Sequence, residues 1–525
     1  MNPRSLPAIL ALAFLLAACG GGGSPAPPPS GPYSNASLHG QYAFALTGLD
    51  LNGAYISRVG SFTADGAGNI TAGVEDLQAL STGEGAVTSP ITGGSYQIQS
   101  TGRGTLTLTA ANGDSVQARL VMQSTSTGFL IQTDLNAACS GSFNLQTASD
   151  FNGAALAHPY VFKTAGVSFS STNAAPLALV GQLTADGSST ITGGVMDTND
   201  GNSSTPSGAT PIPPGTYALD TTGNGTSFGR GTISFNGRTF AFYIVDSTRF
   251  KLLEEDTLGG STGEALLQSP TVPLQNADLT GSFVYLIDGL SVLGSQGPLT
   301  RVARFTADGN GGVGNISLDD NANGWYRHTS QGGNISDATY TVDAANAGSG
   351  RATFTFTDSG KGTSSGVIYM NSLTQGVVQD TSSGIIGNGQ FVAQAGGPFT
   401  VAGSAGTYIS NWSGVQLGSS TAIAFVETFV NQFVLSGSSS NNVGGTTDYI
   451  ELGLSSKTLY SDVGLSGSLK IAKDSTLNNE FKFAVNGSPS VTVTFQAYFV
   501  NPNTLFMICS DSTRTTAAAI FLQQQ

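Results

Sequence analysis

The sequence predicts an all-β protein of four tandem modules, each a small meander barrel of about eight antiparallel strands, with two-sheet β-sandwiches as the alternative. Three observations predict it. Apolar and polar residues alternate with period two in stretches such as Thr105-Leu106-Thr107-Leu108-Thr109 and Val491-Thr492-Val493-Thr494-Phe495, the pattern of strands with one buried face. Gly, Asn and Asp interrupt these stretches at intervals of about 8–12 residues, the spacing of a sandwich or barrel. One block also returns: Phe62-Thr63-Ala64-Asp65-Gly66 recurs as Leu183-Thr184-Ala185-Asp186-Gly187 and as Phe305-Thr306-Ala307-Asp308-Gly309, which marks a repeat architecture.

In chain order, Arg4 and the apolar run 9–16 form the charged and hydrophobic regions of an export signal, too short to span a bilayer. Leu16-Ala17-Ala18-Cys19 follows, and it resembles the lipobox of bacterial lipoprotein signal peptides. That resemblance implies a signal peptide over 1–18 and acylation of Cys19. Gly20, rather than Asp, after the cysteine implies outer-membrane anchoring. Residues 19–35 are rich in Gly and Pro, flexible and extended by turns, and read as a tether. The modules follow at 36–147, 148–270, 274–396 and 400–525.

Within the first module, strands are expected to start near Leu38, Tyr55, Ile70, Ser95, Thr105, Val116, Phe129 and Ser142. The short links between them favour a meander, and closing it removes exposed edges. Asp-Gly between alternating segments is a hairpin turn, because glycine tolerates the positive φ such turns demand. A second Asp lies eleven positions beyond the hairpin Asp in each copy, at Asp76, Asp197 and Asp319. A Gly-Arg-Gly/Ala-Thr segment recurs at Arg103, Arg230 and Arg351. Each module then closes on a strand ending in Asp and a shorter one ending in Gln, at Gln146, Gln268, Gln394 and Gln523. The fourth module lacks the hairpin and arginine motifs and is a divergent copy.

Few patterns here carry chemistry. Charged residues make up only 10% of the chain, with a net charge of −14 and pI 4.5, which excludes a nucleic-acid binder needing clustered Lys and Arg. Asp319-Asp320-Asn321-Ala322-Asn323-Gly324 fits the opening of a calcium loop, and Asp197, Asn199 and Asp200 echo it. Calcium is therefore the single cofactor to test, against a solvated loop, since the frame ends on Ser330 where a bidentate Glu belongs. Three G-x-S-x-G matches, at Ser227, Ser261 and Ser364, lie in β-rich sequence without the strand-turn-helix elbow that gives the motif its meaning. The three histidines, His39, His158 and His328, occupy non-equivalent module positions, so no enzyme is expected. Arg103, Arg230 and Arg351 have matching recurrent partners in Asp76, Asp197 and Asp319, read as an ion pair closing one end of each module or as a polar-ligand site. Trp325-Tyr326 and Trp412 are the aromatic platforms on which a sugar would stack. With Cys19 lipidated, Cys139 and Cys509 form the one candidate disulfide, 370 residues apart, with two buried thiols as the alternative.

The entry strand, the Phe-Thr-Ala-Asp-Gly hairpin and the Gly-Arg-Gly-Thr strand together resemble repeats in exported lipoproteins of soil bacteria, particularly acidobacteria. The resemblance covers residues 36–394 and implies no catalytic residues. The functional expectation is a lipid-anchored, non-enzymatic repeat protein for binding, adhesion or envelope architecture. The alternative is a lipoprotein that binds a small molecule, glycan or calcium in barrel interiors or Asp/Asn loops. Its partners are the membrane, through the anchor, and a glycan, small ligand or envelope protein.

Overall fold

A computed structural model describes residues 32–525 except 80–84, 135–136, 171–173, 204, 221–227, 270–273, 293–296, 331–333, 361, 418–422, 438–441, 454–455, 472–478, 486–490, 513 and 517–518. The signal peptide, Cys19, most of the tether and Ser227 lie outside the described residues.

The first barrel consists of β1 (His39–Asp50), β2 (Tyr55–Asp65), β3 (Asn69–Ala79), β4 (Val87–Ile98), β5 (Arg103–Ala110), β6 (Ser115–Ser124), β7 (Thr127–Gln132) and β8 (Ala137–Leu145). Each pairs antiparallel with the next, and β8 pairs back on β1, so the sheet closes as a meander barrel. The same order repeats over Pro159–Leu267 (barrel 2), Thr280–Ala393 (barrel 3) and Gly406–Gln523 (barrel 4). Barrels 2 and 4 also close. The fourth strand is split into Ser207–Ile212 and Gly215–Leu219 in barrel 2 and into Trp325–Ser330 and Ile335–Val342 in barrel 3, where one isolated bridge, Gly312 to Thr339, spans the gap.

The strand starts differ from expectation chiefly at β4, which begins at Val87 rather than near Ser95. Pro90 and the polar residues around it read as loop, yet this half of β4 pairs only with β3, leaving an outer edge where a missing N–H costs nothing. The Asp-Gly stretches form the β2–β3 hairpin and its copies. Gly66, Gly187 and Gly309 have φ of 79°, 81° and 80°. In each turn the preceding Asp accepts backbone N–H bonds, Asp65 from Ala67 and Asn69, Asp186 from Ser188, Ser189 and Thr190, Asp308 from Asn310 and Gly312.

Side chains fill each barrel. In barrel 1, Tyr42, Phe44, Phe62, Phe143 and Cys139 share one core, and in barrel 4, Trp412 stacks on Phe429 at 3.6 Å in a core that includes Cys509. The cysteines thus sit in different barrels as buried thiols, so the candidate disulfide does not form. Burial pushes the Cys139 thiol up to about 12. Arg58, on the same side of β2 as Ile56 and Phe62, points inward and pairs with Glu75 at 3.1 Å. Interior ion pairs also join Arg301 to Asp320 at 2.6 Å and Arg514 to Glu427 at 3.1 Å.

Candidate functional site

The recurrent polar residues converge between barrels, not within them. Asp76 lies mid-strand on the outer face of β3, opposite Val59. Arg230 begins the fifth strand of barrel 2 (Arg230–Phe235) and holds Asp76 with a fork of two 2.8 Å bonds, from Nε and from a terminal nitrogen. Tyr243, paired with Arg230 across the sheet, donates its hydroxyl to the same carboxylate at 2.6 Å. The next junction repeats this arrangement: Arg351 holds Asp197 with two 2.8 Å bonds and Tyr369 adds one of 2.6 Å. The expectation of an Arg–Asp pair inside each module is therefore corrected. The arginine of one barrel binds the aspartate of the barrel before it, because the two lie on opposite flanks of a barrel and each meets its partner only across a seam.

These carboxylates are almost fully buried, and a forked guanidinium compensates a buried carboxylate with two charge-assisted bonds. Burial lowers the arginine pKa and Asp76 raises it further, so that of Arg230 stands above its ordinary value. Burial first, and then Asp76, pushes the Tyr243 hydroxyl well up, so it stays a donor.

Arg103 completes the set from an unexpected side. It reaches barrel 4, bonding Asp448 and, at 2.8 Å, Asp462. Asp448 is the fourth copy of the recurrent aspartate: it stands opposite Val430 as Asp76, Asp197 and Asp319 stand opposite Val59, Val180 and Val302. That valine partner was the signal sequence reading lacked. Between barrels 3 and 4, among the described residues, no arginine side chain binds the recurrent aspartate. Asp319 accepts from the hydroxyls of Tyr498 and Tyr326, the latter at 2.5 Å, and contacts His328 Nδ1 at 3.0 Å.

The closing glutamines lock the same junctions. Gln146 donates to the carbonyls of Phe228 and Ile244, and Gln268 to those of Ser349 and Met370. Gln394 donates to Phe499, and Gln524, rather than the expected Gln523, to Thr101 and Met122. The residue after each glutamine adds a backbone bond to the next barrel: Thr147 to Val245, Ser269 to Asn371, Ala395 to Val500, Gln525 to Gln123. Apolar clusters flank all four junctions, for example Val59 and Val74 against Ala241 and Leu253, and Val121 and Phe129 against Val415 and Val430. The barrels therefore follow one another head to tail in the cyclic order 1–2–3–4–1, a heterologous contact that closes.

The same geometry engages the residues of the calcium reading. Asp197 and Asn199 lie on a strand (Thr190–Asp200), as do Asp319 and Asn321 (Val313–Ala322), and their side chains are engaged across seams. Asn199 donates to the carbonyls of Asp380 and Ile385, and Asn321 to those of Cys509 and Arg514. Asp200 accepts from Ser168 and Asn202 in a turn, and Asn323 occupies a tight turn with φ of 50°. Among the described residues no three His, Cys, Asp or Glu side chains gather as a metal site. Ser261 and Ser364 lie on strands, and Ser261 donates to the buried Glu254 at 2.7 Å. Of the aromatic platforms, Trp412 is core, while Trp325 is 72% exposed.

No protein-family model and no curated protein matches the chain. Among solved structures it is similar to transferrin binding protein B from Haemophilus parasuis Hp5, at 9% identity and a TM-score of 0.19 over 76% of this chain and 83% of that one. It is also similar to the isotype 1 protein of that name from serogroup B Neisseria meningitidis, at 9% identity and a TM-score of 0.19 over 78% of this chain and 87% of that one. At such scores the molecules do not superpose as wholes, and nothing is carried across from them.

Proposed function

We propose that this chain is a lipid-anchored, non-enzymatic binding protein of the bacterial outer membrane, holding four barrels as one rigid platform. The observation that carries the reading is where the repeated polar residues go. The recurrent Arg103, Arg230 and Arg351, the aspartates Asp76, Asp197, Asp319 and Asp448, and the glutamines Gln146, Gln268 and Gln394 with Gln524 join one barrel to the next, so their repetition serves assembly, while what differs among copies is their connections and outward faces. Loops on a rigid scaffold are where binding residues concentrate. The packed barrel cores favour a partner held on the outside over a ligand held within. Acylation at Cys19 would hold the platform at the membrane.

Native mass spectrometry of the full-length protein, extracted in detergent from its host's envelope, tests the reading. A companion mass that denaturation removes is the expected result. A bare lipidated mass in every preparation, with calcium and with chelator, would overturn the binding role and leave an architectural one. Cys19→Ala is expected to move the protein from the membrane to the soluble fraction.

A further inference from the structure

The four seams are not filled alike. Between barrels 1 and 2, Phe228, two residues before Arg230, is buried in the junction with Val59 and Val74, and Ala72 packs against them. Between barrels 2 and 3 the corresponding residue is Ser349, the end of a 3-10 turn (Ala344–Ser349) that lies over the second and third strands of barrel 2. Between barrels 4 and 1 the corresponding residue is Thr101. It belongs to the connection 99–102, much shorter than 220–229 and 343–350 in barrels 2 and 3.

The opposing surface is trimmed on one strand only, since its partner carries the larger Gln432 and Val434 where barrel 1 has Ser61 and Thr63. Register places Gly444, opposite Val434, where barrel 1 has Ala72 opposite Thr63, and Thr446, opposite Gln432, where barrel 1 has Val74 opposite Ser61. Threonine in place of phenylalanine and glycine in place of alanine leave a groove of about 410 Å³, within the range of ligand sites. Nothing lies within 4 Å of a Cβ built on Gly444. Val434 is 51% exposed beside it. The rim carries Tyr33, Thr101, Gln525 and the amides of Gln432 and Gln524, with Gln432 donating to Gln524 at 2.7 Å.

We infer that this groove receives an aromatic side chain of a partner protein, seated over Gly444 as Phe228 is seated at the first seam. The first seam, built on the same register, seats a phenyl ring at the equivalent place. An exposed valine with bare glycine backbone offers an apolar seat, and the amide and hydroxyl rim offers bonds to the partner's peptide groups. The inference deepens the proposed binding role and rests on it.

The test uses the full-length protein and three probes, N-acetyl-phenylalaninamide, N-acetyl-leucinamide and maltose, followed by saturation-transfer NMR. The phenylalanine amide is expected to bind in the millimolar range, at least tenfold more tightly than the leucine amide. Thr101→Phe, which supplies the ring from within, should abolish that binding. Gly444→Val fills the same open space and serves if the first variant fails to fold. Binding of the phenylalanine amide that is unchanged in the filled variants, or no tighter than that of the leucine amide, overturns the inference. So does maltose binding that the filled variants abolish, which would make this a sugar site. A native companion mass that persists in Thr101→Phe overturns the inference and leaves the general binding role intact.

Discussion

Arg351 shows how much one side chain does at a seam. It binds Asp197 through two 2.8 Å bonds and Asp343 through a third of 2.9 Å. Arg351→Ala would leave a buried carboxylate without its cation, a loss of about 3–5 kcal/mol. Arg351→Lys keeps the charge but not the fork and should fall between, as read from urea midpoints. At the third seam, among the described residues, Tyr498 alone reaches Asp319 from the next barrel, and the basic group beside the aspartate is a histidine of the same barrel. His328 faces Asp319, whose other partners are the hydroxyls of Tyr326 and Tyr498, the latter also bonded to Ser317. The hydrogen bond to Asp319 raises the His328 pKa above its ordinary value. A raised histidine stabilises the fold fully below its unfolded value of about 6.5 and ceases to as pH climbs through its folded value. Hydrogen-exchange protection at this seam should therefore fall between mildly acidic and mildly alkaline pH, and His328→Arg should flatten the profile. The recurrence of Arg230, Arg351, Asp76 and Asp197 was legible in sequence, but their pairing was not. A repeat shows that two residue types keep step, and it does not say which copy of one meets which copy of the other.

At the scale of elements, the hairpins were the most legible feature, because their cause is local. A glycine at positive φ and an Asp accepting backbone bonds within four residues suffice. The hydrogen bonds from Asn69 and Ala67 hold the Asp65 carboxyl down at about 2, and those from Thr190 and Ser188 do the same for Asp186. What these turns contribute is present above the ordinary carboxylate range and is lost as pH falls toward 2. The fourth strand was the least legible. Its first half lies over the seam and pairs on one side only, so it carries Thr88, Pro90 or Trp325 where a buried strand would carry alternating apolar residues. Edge strands relax the pattern on which sequence reading depends. The divergence of barrel 4 hid Asp448 for a related reason: its motif is gone, and only its register opposite Val430 identifies it.

At the scale of the molecule, the ring was not legible at all, since barrels 1 and 4 are neighbours in space and distant in sequence. Their junction again joins an arginine, a recurrent aspartate and a glutamine, here Arg103, Asp448 and Gln524, with no linking segment between consecutive residues. Arg103→Ala combined with Gln524→Ala is expected to raise hydrogen exchange along β5, β6 and the third strand of barrel 4 (Val443–Leu452), leaving the Arg230 and Arg351 seams unchanged. Equal exchange at all four seams would show that the ring opens as one unit. Tyr33 sits at that same junction, its hydroxyl donating both to Gln123 of barrel 1 and, at 2.6 Å, to Gln525 beyond barrel 4. A pull applied through the segment that precedes Pro32 thus enters the molecule where two barrels grip the same residue. Barrel 1 is braced on both flanks, so mechanical load is divided between two seams before any strand need peel.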